Sequence, residues 1–439
     1  MANTYLQRTF GSGNQQIWTW SGWIKRNKLG TDQQIFGRQL DGSNIGSIRF
    51  QSDDAIRVNN NTSGTGVELY TTMKFRDTNG WYHLVVVFKG SESTASDRVD
   101  IYVNGEEIDF TVTSSTTAGN GYINGSGDHF IGKRAPGDND RFLEAVLSHV
   151  HFIDGTAYTP STFGETDANG VWKIKTDVSV TYGNNGFFIL KDGNSVTDQS
   201  GNSNNFTVGG GTLTNTEDSP SNVFATLNPL YLNSGTGFSE GNLTFTKSTT
   251  SWSSALSTLG TNTGKFFTEI KYTSSGFVWM GVCSSTQAEE YSGTWLGSAP
   301  VTNSTGIALG MHNGEVYSND AAIFTGSVVS VGSIIGIALD LDNGYIYFSI
   351  DGVWINSGDP TSGSSGTGGF SLQNRVNSEE YFFGASTYNN SQIKTNFGNG
   401  YFGTTAVASA GTNASGNGIF EYDVPTGYTA LCTKGLNGE

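Results

Sequence analysis

Cysteine, proline, histidine and basic residues are all scarce in this 439-residue chain, and each shortage closes off a class of answer. Two cysteines, Cys283 and Cys432, cannot build a disulfide framework and are expected as free thiols buried like small apolar side chains. Lys and Arg number 23 against 39 Asp and Glu, a formal net charge of −16, so no nucleic-acid partner is expected, because phosphate binding needs a basic surface. Simple electrostatic docking on an anionic bacterial surface is disfavoured for the same reason, leaving stacking, hydrogen bonds or bridging cations. No segment approaches the ~18 consecutive apolar residues of a membrane span. The opening MANTYLQRTFGSGN shows neither a charged leader with an apolar core nor a cleavage site, so neither membrane insertion nor secretion by the usual route is expected. No window keeps a 3.6-residue apolar period over three turns, and very little helix is expected.

What the chain does have is turns and strand formers. It carries 60 glycines, 12% aromatics and about fifteen Asn-Gly or Asp-Gly pairs, the pairs that supply the positive φ angles of tight hairpins. Two distant stretches spell the same object: 81–105, WYHLVVVFKGSESTASDRVDIYVNG, and 334–354, IIGIALDLDNGYIYFSIDGVW. Each reads as an apolar strand, a turn and a second strand closed by Asn-Gly or Asp-Gly, the central hairpin of a β-sandwich. The fold class expected is all-β: two antiparallel β-sandwich (jelly-roll) domains in series, joined by a turn-rich connector. The length suits two cores better than one.

The first domain is placed at 1–160, with strands near 34–36, 47–51, 55–58, 81–88, 99–103, 129–132 and 146–153. Residues 161–229 have too few strand-like residues for a core and read as a connector packing on the first domain. The second domain is placed at 230–432, with strands near 266–272, 277–283, 306–311, 315–317, 334–341, 345–350 and 381–386, and 433–439 is a tail. Its loop 357–369, nearly all Gly, Ser and Thr, is expected to be mobile and exposed.

WTWSGWIK, WYHLVVVFKG and DRVDIYVNGEEI in the first 155 residues resemble laminin-G-like, concanavalin-type domains. GFVWMGVCSS, GIALDLDNGYIYFSIDGVW and NFGNGYF in 230–432 resemble SPRY domains. The joining text, TYLQRTFGSGNQQIWTWSGWIKRNKLG, HFIDGTAYTPSTFGETDANGVWK, DSPSNVFATLNPL and VPTGYTALCTKGL, is similar to a mosaic found in virion appendage proteins of tailed bacteriophages, often marine. The resemblance implies localisation on a virion assembled in the host bacterial cytoplasm. It also implies other virion proteins as partners and a homo-oligomer, a trimer being the first expectation.

Chemistry-bearing residues are few. A retaining glycoside hydrolase needs two carboxyls about 5 Å apart, and the nearest pair, Glu107 and Asp109, is followed by Thr111-Val112-Thr113, a solvent-facing strand end. His149 and His151 lie two apart on a strand, a spacing that puts both on one face and suits two metal ligands, but no third His or Cys is nearby. Asp138, Asn139 and Asp140, with Asp128, offer hard oxygen ligands for calcium, which laminin-G-like folds hold at the sandwich rim; Asp and Asn are also ordinary turn formers. Asp340, Asp342 and Asp351 surround the second hairpin, where the SPRY resemblance makes them structural. Trp18, Trp20, Trp81 and Trp279 sit in strand patterns and are expected in the core. Trp252, Trp295 and Tyr291 lie in loop-like sequence. Since SPRY domains bind through rim loops, Tyr291, Trp295 and Tyr388 are the expected ligand contacts. The function expected is therefore a non-enzymatic structural protein of a phage particle displaying glycan-binding sandwiches for host adsorption. A decoration protein without external ligand is the alternative, and a glycan depolymerase a minor one.

Overall fold

The computed structural model describes residues 3–438 except 117, 138–139, 231–234, 292, 300–303 and 373–377. The chain divides into two compact units, Met1–Asn215 and Thr216–Glu439. The stretch 161–229 is therefore shared: Phe187–Ile189 and Thr207–Gly209 are strands of the first unit, whereas Phe224, Ala225 and Leu227 lie in cores of the second. Sequence alone could not place these short pieces, because pairing partners far along the chain, not local propensity, make them strands.

The first unit stacks two antiparallel sheets. One has eight strands in the order Phe110–Ser115, Thr65–Thr71, Ile56–Thr62, Ile45–Phe50, Gln33–Gln39, Gly127–Ile131, Tyr5–Phe10, Thr207–Gly209; the other has six, Phe187–Ile189, Ala145–Asp154, Ile17–Arg26, Tyr82–Lys89, Val99–Val103, Glu106–Glu107. The run LVVVF shows why such a strand is apolar throughout. Leu84, Val86 and Phe88 enter the inter-sheet core with Trp18, Trp20 and Phe152, while Val85 and Val87 meet Ile153, Phe163 and Tyr182 on the opposite face. A strand covered on both faces loses the polar alternation, and each fully buried Val, Leu or Phe contributes roughly 1.5–3 kcal/mol. At its far end Asn104 (φ 50°) and Gly105 (φ 88°) close the hairpin. A Cβ on Gly105 would also meet the Trp172 ring at 2.6 Å, so the position requires glycine twice over.

The second unit repeats the scheme. Its larger sheet runs Thr236–Ser239, Thr244–Lys247, Ser391–Asn396, Lys265–Tyr272, Ile334–Asp340, Tyr345–Ile350, Val353–Trp354, with Phe370–Ser371 and Thr429–Ala430 attached. The smaller runs Ser253–Leu256, Tyr381–Tyr388, Phe277–Ser284, Ile307–Gly310, Glu315–Ser318, Ala321–Thr325. Val278, Met280 and Val282 face the central core, whereas Trp279 and Cys283 face outward under a cover that includes Tyr291 and Leu296. The outer face of the larger sheet is roofed by the C-terminal segment, whose Phe420, Val424 and Tyr428 pack on Phe267, Ala338 and Tyr347. Glu269 fastens that roof: its Oε1 accepts from the Tyr422 N–H at 2.8 Å and its Oε2 from the Glu421 N–H at 2.9 Å. Burial pushes this carboxyl up to about 7.

The Gly/Ser-rich loop is largely exposed as expected, and one other local expectation changes. That loop folds back on itself, with the Asp359 N–H on the Thr367 carbonyl at 2.9 Å and Ser362 Oγ donating to the Asp359 carbonyl at 2.6 Å; its short hydroxyls satisfy the backbone that its composition would leave loose. Residues 433–437, read as tail, form the short helix Thr433–Asn437, and Cys432 Sγ accepts from the Gly435 N–H.

Candidate functional site

Aromatic side chains from five separate segments meet on the outer face of the second unit's smaller sheet. Phe277 and Tyr388 sit directly opposite on paired strands, and Trp252, just before its strand, lies 5.2 Å from Tyr388 and 6.3 Å from Phe277 between ring centroids. Two residues on, alternation brings Trp279 to the same face. There it stacks on Trp295 at 4.3 Å and meets Tyr317 edge-on at 5.1 Å, while His312 stands against Phe277 at 4.7 Å. The opposing strand positions leave room for this: Gly310 pairs with Trp279, and a Cβ there would fall 2.6 Å from the indole. The result is a graded surface, with Trp279 buried, Trp252, Trp295, Tyr317 and Tyr388 half-buried and Phe277 46% exposed.

Polar groups edge this surface. Asn313 and Glu315 follow His312 and are bonded to each other, and Asn389 and Asn390 turn at positive φ beyond Tyr388. Trp279 Nε1 and His312 Nδ1 are buried without a hydrogen-bond partner among the described residues. Burial lowers the His312 pKa, with Glu315 pulling the other way. Exposed ring faces edged by amides are what a sugar requires, since its C–H face stacks and its hydroxyls bond; the two unpaired atoms lie beneath that surface.

Of the expected contacts, Trp295 and Tyr388 belong to this surface and Tyr291 does not. Tyr291 has no exposed area, and its hydroxyl accepts from the Gly306 N–H at 2.9 Å. It supports the cover behind Trp295 instead, because the polar loop-like sequence around it folds down over the sheet. Trp252 and Phe277 complete the surface. The signal for them was the alternation Phe277, Trp279 with polar residues before it.

Among the calcium candidates, Asp138 and Asn139 lie outside the described residues. Asp140 is held 3.4 Å from Arg134 and 4.0 Å from Arg141, and Asp128 accepts from Thr9 Oγ1 at 2.5 Å. No group of three or more His, Cys, Asp or Glu suited to a metal exists among the described residues. The shared face expected for His149 and His151 is disturbed by a bulge: His149 has φ 47°, and the register slips between Ser148 and His151. Each ring then finds its own partner, Ser148 Oγ at 2.8 Å and the Tyr182 hydroxyl at 2.9 Å. Glu107 and Asp109 are both exposed. Asp340 is fully buried on Lys265 at 2.8 Å, Asp342 accepts from the Gly264 N–H, and Asp351 from the Ile334 N–H, so all three tie strands and turns.

One pair resembles a nucleophile and base, Ser21 Oγ and His83 Nε2 at 2.9 Å. Its polarity is wrong for that role. Trp172 Nε1, which can only donate, bonds His83 Nδ1 at 3.0 Å, so the neutral ring carries its proton on Nε2 and donates it to the serine. Burial lowers this imidazole to about 3, keeping it neutral.

A family profile described as the concanavalin A-like lectin/glucanases superfamily, of laminin-G type, matches residues 2–162. No curated protein matches. Among solved structures, the SPRY domain of human HERC1 is 15% identical, covering 38% of this chain and 96% of its own, with a TM-score of 0.27. A Bacteroides ovatus protein provisionally assigned as carbohydrate binding is 17% identical, covering 49% of this chain and 58% of its own, with a TM-score of 0.35. The heptameric SAP-like pentraxin of Limulus polyphemus is 17% identical, covering 48% and 91%, with a TM-score of 0.30.

Proposed function

We propose that this protein is a non-enzymatic, glycan-binding appendage whose second sandwich grips sugar rings on its aromatic face, displayed in multiple copies on a bacteriophage particle. The observation that carries the reading is the surface of Trp252, Phe277, Trp295 and Tyr388, partly solvent-facing and bordered by amides and a carboxylate. The concanavalin A-like match over residues 2–162 supports carbohydrate as the ligand class. The virion setting rests on the resemblance of the joining segments to phage appendage proteins, and a homo-oligomer, a trimer first, goes with it. A single shallow site of millimolar affinity is worth only about 4 kcal/mol, but linked copies can raise avidity by roughly 10² to 10⁴. Weak stacking is then sufficient.

The protein coupled to beads is expected to adsorb neutral glycans such as cellotriose-bearing polymer, and W252A/Y388A to lose that adsorption while remaining folded by circular dichroism. Each lost stack removes about 0.5–1.5 kcal/mol per site, which multivalency amplifies. Beads that capture no neutral or host-derived glycan would leave a decoration protein without external ligand. Release of reducing ends from host polysaccharide would instead make it a depolymerase.

A further inference from the structure

Three of the four outward sheet faces of the two sandwiches carry apolar clusters: the first unit's six-stranded sheet and both sheets of the second. The outer face of the first unit's eight-stranded sheet has no such cluster among the described residues, and its middle is charged. Register places Gln34, Arg49, Arg57, Tyr70 and Thr111 in one row across five adjacent strands. Two arginines thus face each other directly across a strand pair, an arrangement that costs stability when nothing negative lies between.

The neighbouring carboxylates, Glu68, Asp32 and Asp140, offset the outer arginines and leave Arg49 in the middle. Glu68 pairs with Arg57 at 2.5 Å, and Asp32 lies 3.6 Å from Arg141, beyond hydrogen-bond reach. Arg49 has no carboxylate partner among the described residues; with the Gln51 amide oriented to suit, its oxygen accepts from Arg49 Nε at 2.6 Å and Nη2 at 3.1 Å. Arg49 is only 5% exposed, yet the Arg57 and Arg141 side chains beside it are 20% and 25% exposed, so solvent reaches its flanks. Arg57 Nε is buried without a partner, and its guanidinium lies 5.2 Å over the Tyr70 ring. Burial, then Arg57 and Arg141, lowers the Arg49 pKa to about 10 against the opposing pull of Asp32 and Tyr70, which still leaves it charged at neutral pH. In a chain of net charge −16, three guanidinium groups thus meet on rigid strands, with Glu68, Asp32 and Asp140 drawn to the outer two and Arg57 Nε left without a partner.

We propose that this row is a binding site for an oxyanion group, a carboxylate or sulfate, seated among Arg49, Arg57 and Arg141. Guanidinium groups take such groups in charge-assisted, two-pronged bonds, and Tyr70 offers a ring face to the sugar that carries the group. That the anion is borne by a sugar rests on the glycan reading above; the anion site itself does not.

Calorimetric titration of the full chain with trigalacturonate, with sodium sulfate and with neutral cellotriose, at matched ionic strength, tests it. Trigalacturonate is expected to bind more tightly at low salt, and R49Q to weaken it about 10- to 100-fold. R141Q, a change at a partly exposed side chain, is expected to weaken it several-fold and covers the case in which R49Q does not fold. Sulfate binding without trigalacturonate binding would support the site and identify a free anion as its occupant. Absence of both at millimolar ligand, or titrations unchanged in R49Q and R141Q, would overturn the proposal. W252A/Y388A should leave trigalacturonate untouched, so failure of the aromatic surface and failure of this site are read separately.

Discussion

The two units bury opposite kinds of titratable group. The first holds four of the five histidines, His83, His129, His149 and His151, all lowered by burial, His83 and His129 to about 3 and His149 to about 4. The second holds Glu269, raised by burial to about 7, and the fifth histidine, His312, lowered by burial against the pull of Glu315. The four histidines and Glu269 therefore respond to acid in opposite senses. For the histidines, the unfolded ring takes up protons below about 6.5 and the folded one does not, so stability falls as pH drops from there toward 3–4. For Glu269, the unfolded carboxyl ionises near 4.5 and the folded one near 7, so stability falls as pH rises through that window.

The largest expected effect follows directly. At pH 4.5 His83 and His129 each cost the first unit on the order of 2–3 kcal/mol, enough to lower its melting by about 10–20 °C. Hydrogen exchange followed by peptide should show the first unit opening faster between pH 7 and 4.5, after correction for intrinsic rates, while the second holds or tightens. Equal loosening of both would break the contrast. E269Q sharpens it from the other side. Its amide nitrogen would face a backbone N–H, so the C-terminal roof should lose about 2–3 kcal/mol at neutral pH, and the second unit's gain on acidification should vanish.

A smaller effect is expected from H149N. Asparagine accepts the positive φ of the bulge and does not titrate, so the first unit should become more acid-tolerant by on the order of 1 kcal/mol after allowance for solvent screening at this partly exposed site. Calcium is expected to matter least. With Asp140 near two arginines and Asp128 on Thr9, chelation should move the first unit's melting by less than about 2 °C, or under 1 kcal/mol. A larger fall would revive a cation at Asp140 or Asp128.

Legibility in the sequence followed coverage. Strands apolar on both faces, LVVVF and FVWMGVC, and the hairpins closed by Asn104-Gly105 and Asp351-Gly352 were readable, because burial and positive φ write themselves into residue choice. Edge and near-edge strands were not: FTVTSS at 110–115 and AAIFT at 321–325 are short and exposed, so nothing local distinguishes them from loop. Trp295 lies in a loop as expected, Tyr388 ends a strand and not a rim loop, and Tyr291 is buried because a cover segment and an open loop share the same polar composition. The arginine row had a signal that went unused. Ile48-Arg49-Phe50 and Ile56-Arg57-Val58 repeat one alternation in consecutive strands of an acidic chain, which puts both cations on the face turned away from the core.

In the second unit, the Ala225 N–H bonds the Leu431 carbonyl at 2.9 Å and the Thr433 N–H bonds the Val223 carbonyl at 3.0 Å. Entry and exit of this fold are therefore neighbours, and such a body can be spliced into a surface loop of an unrelated host without prising that loop apart. The aromatic surface would travel with the cassette.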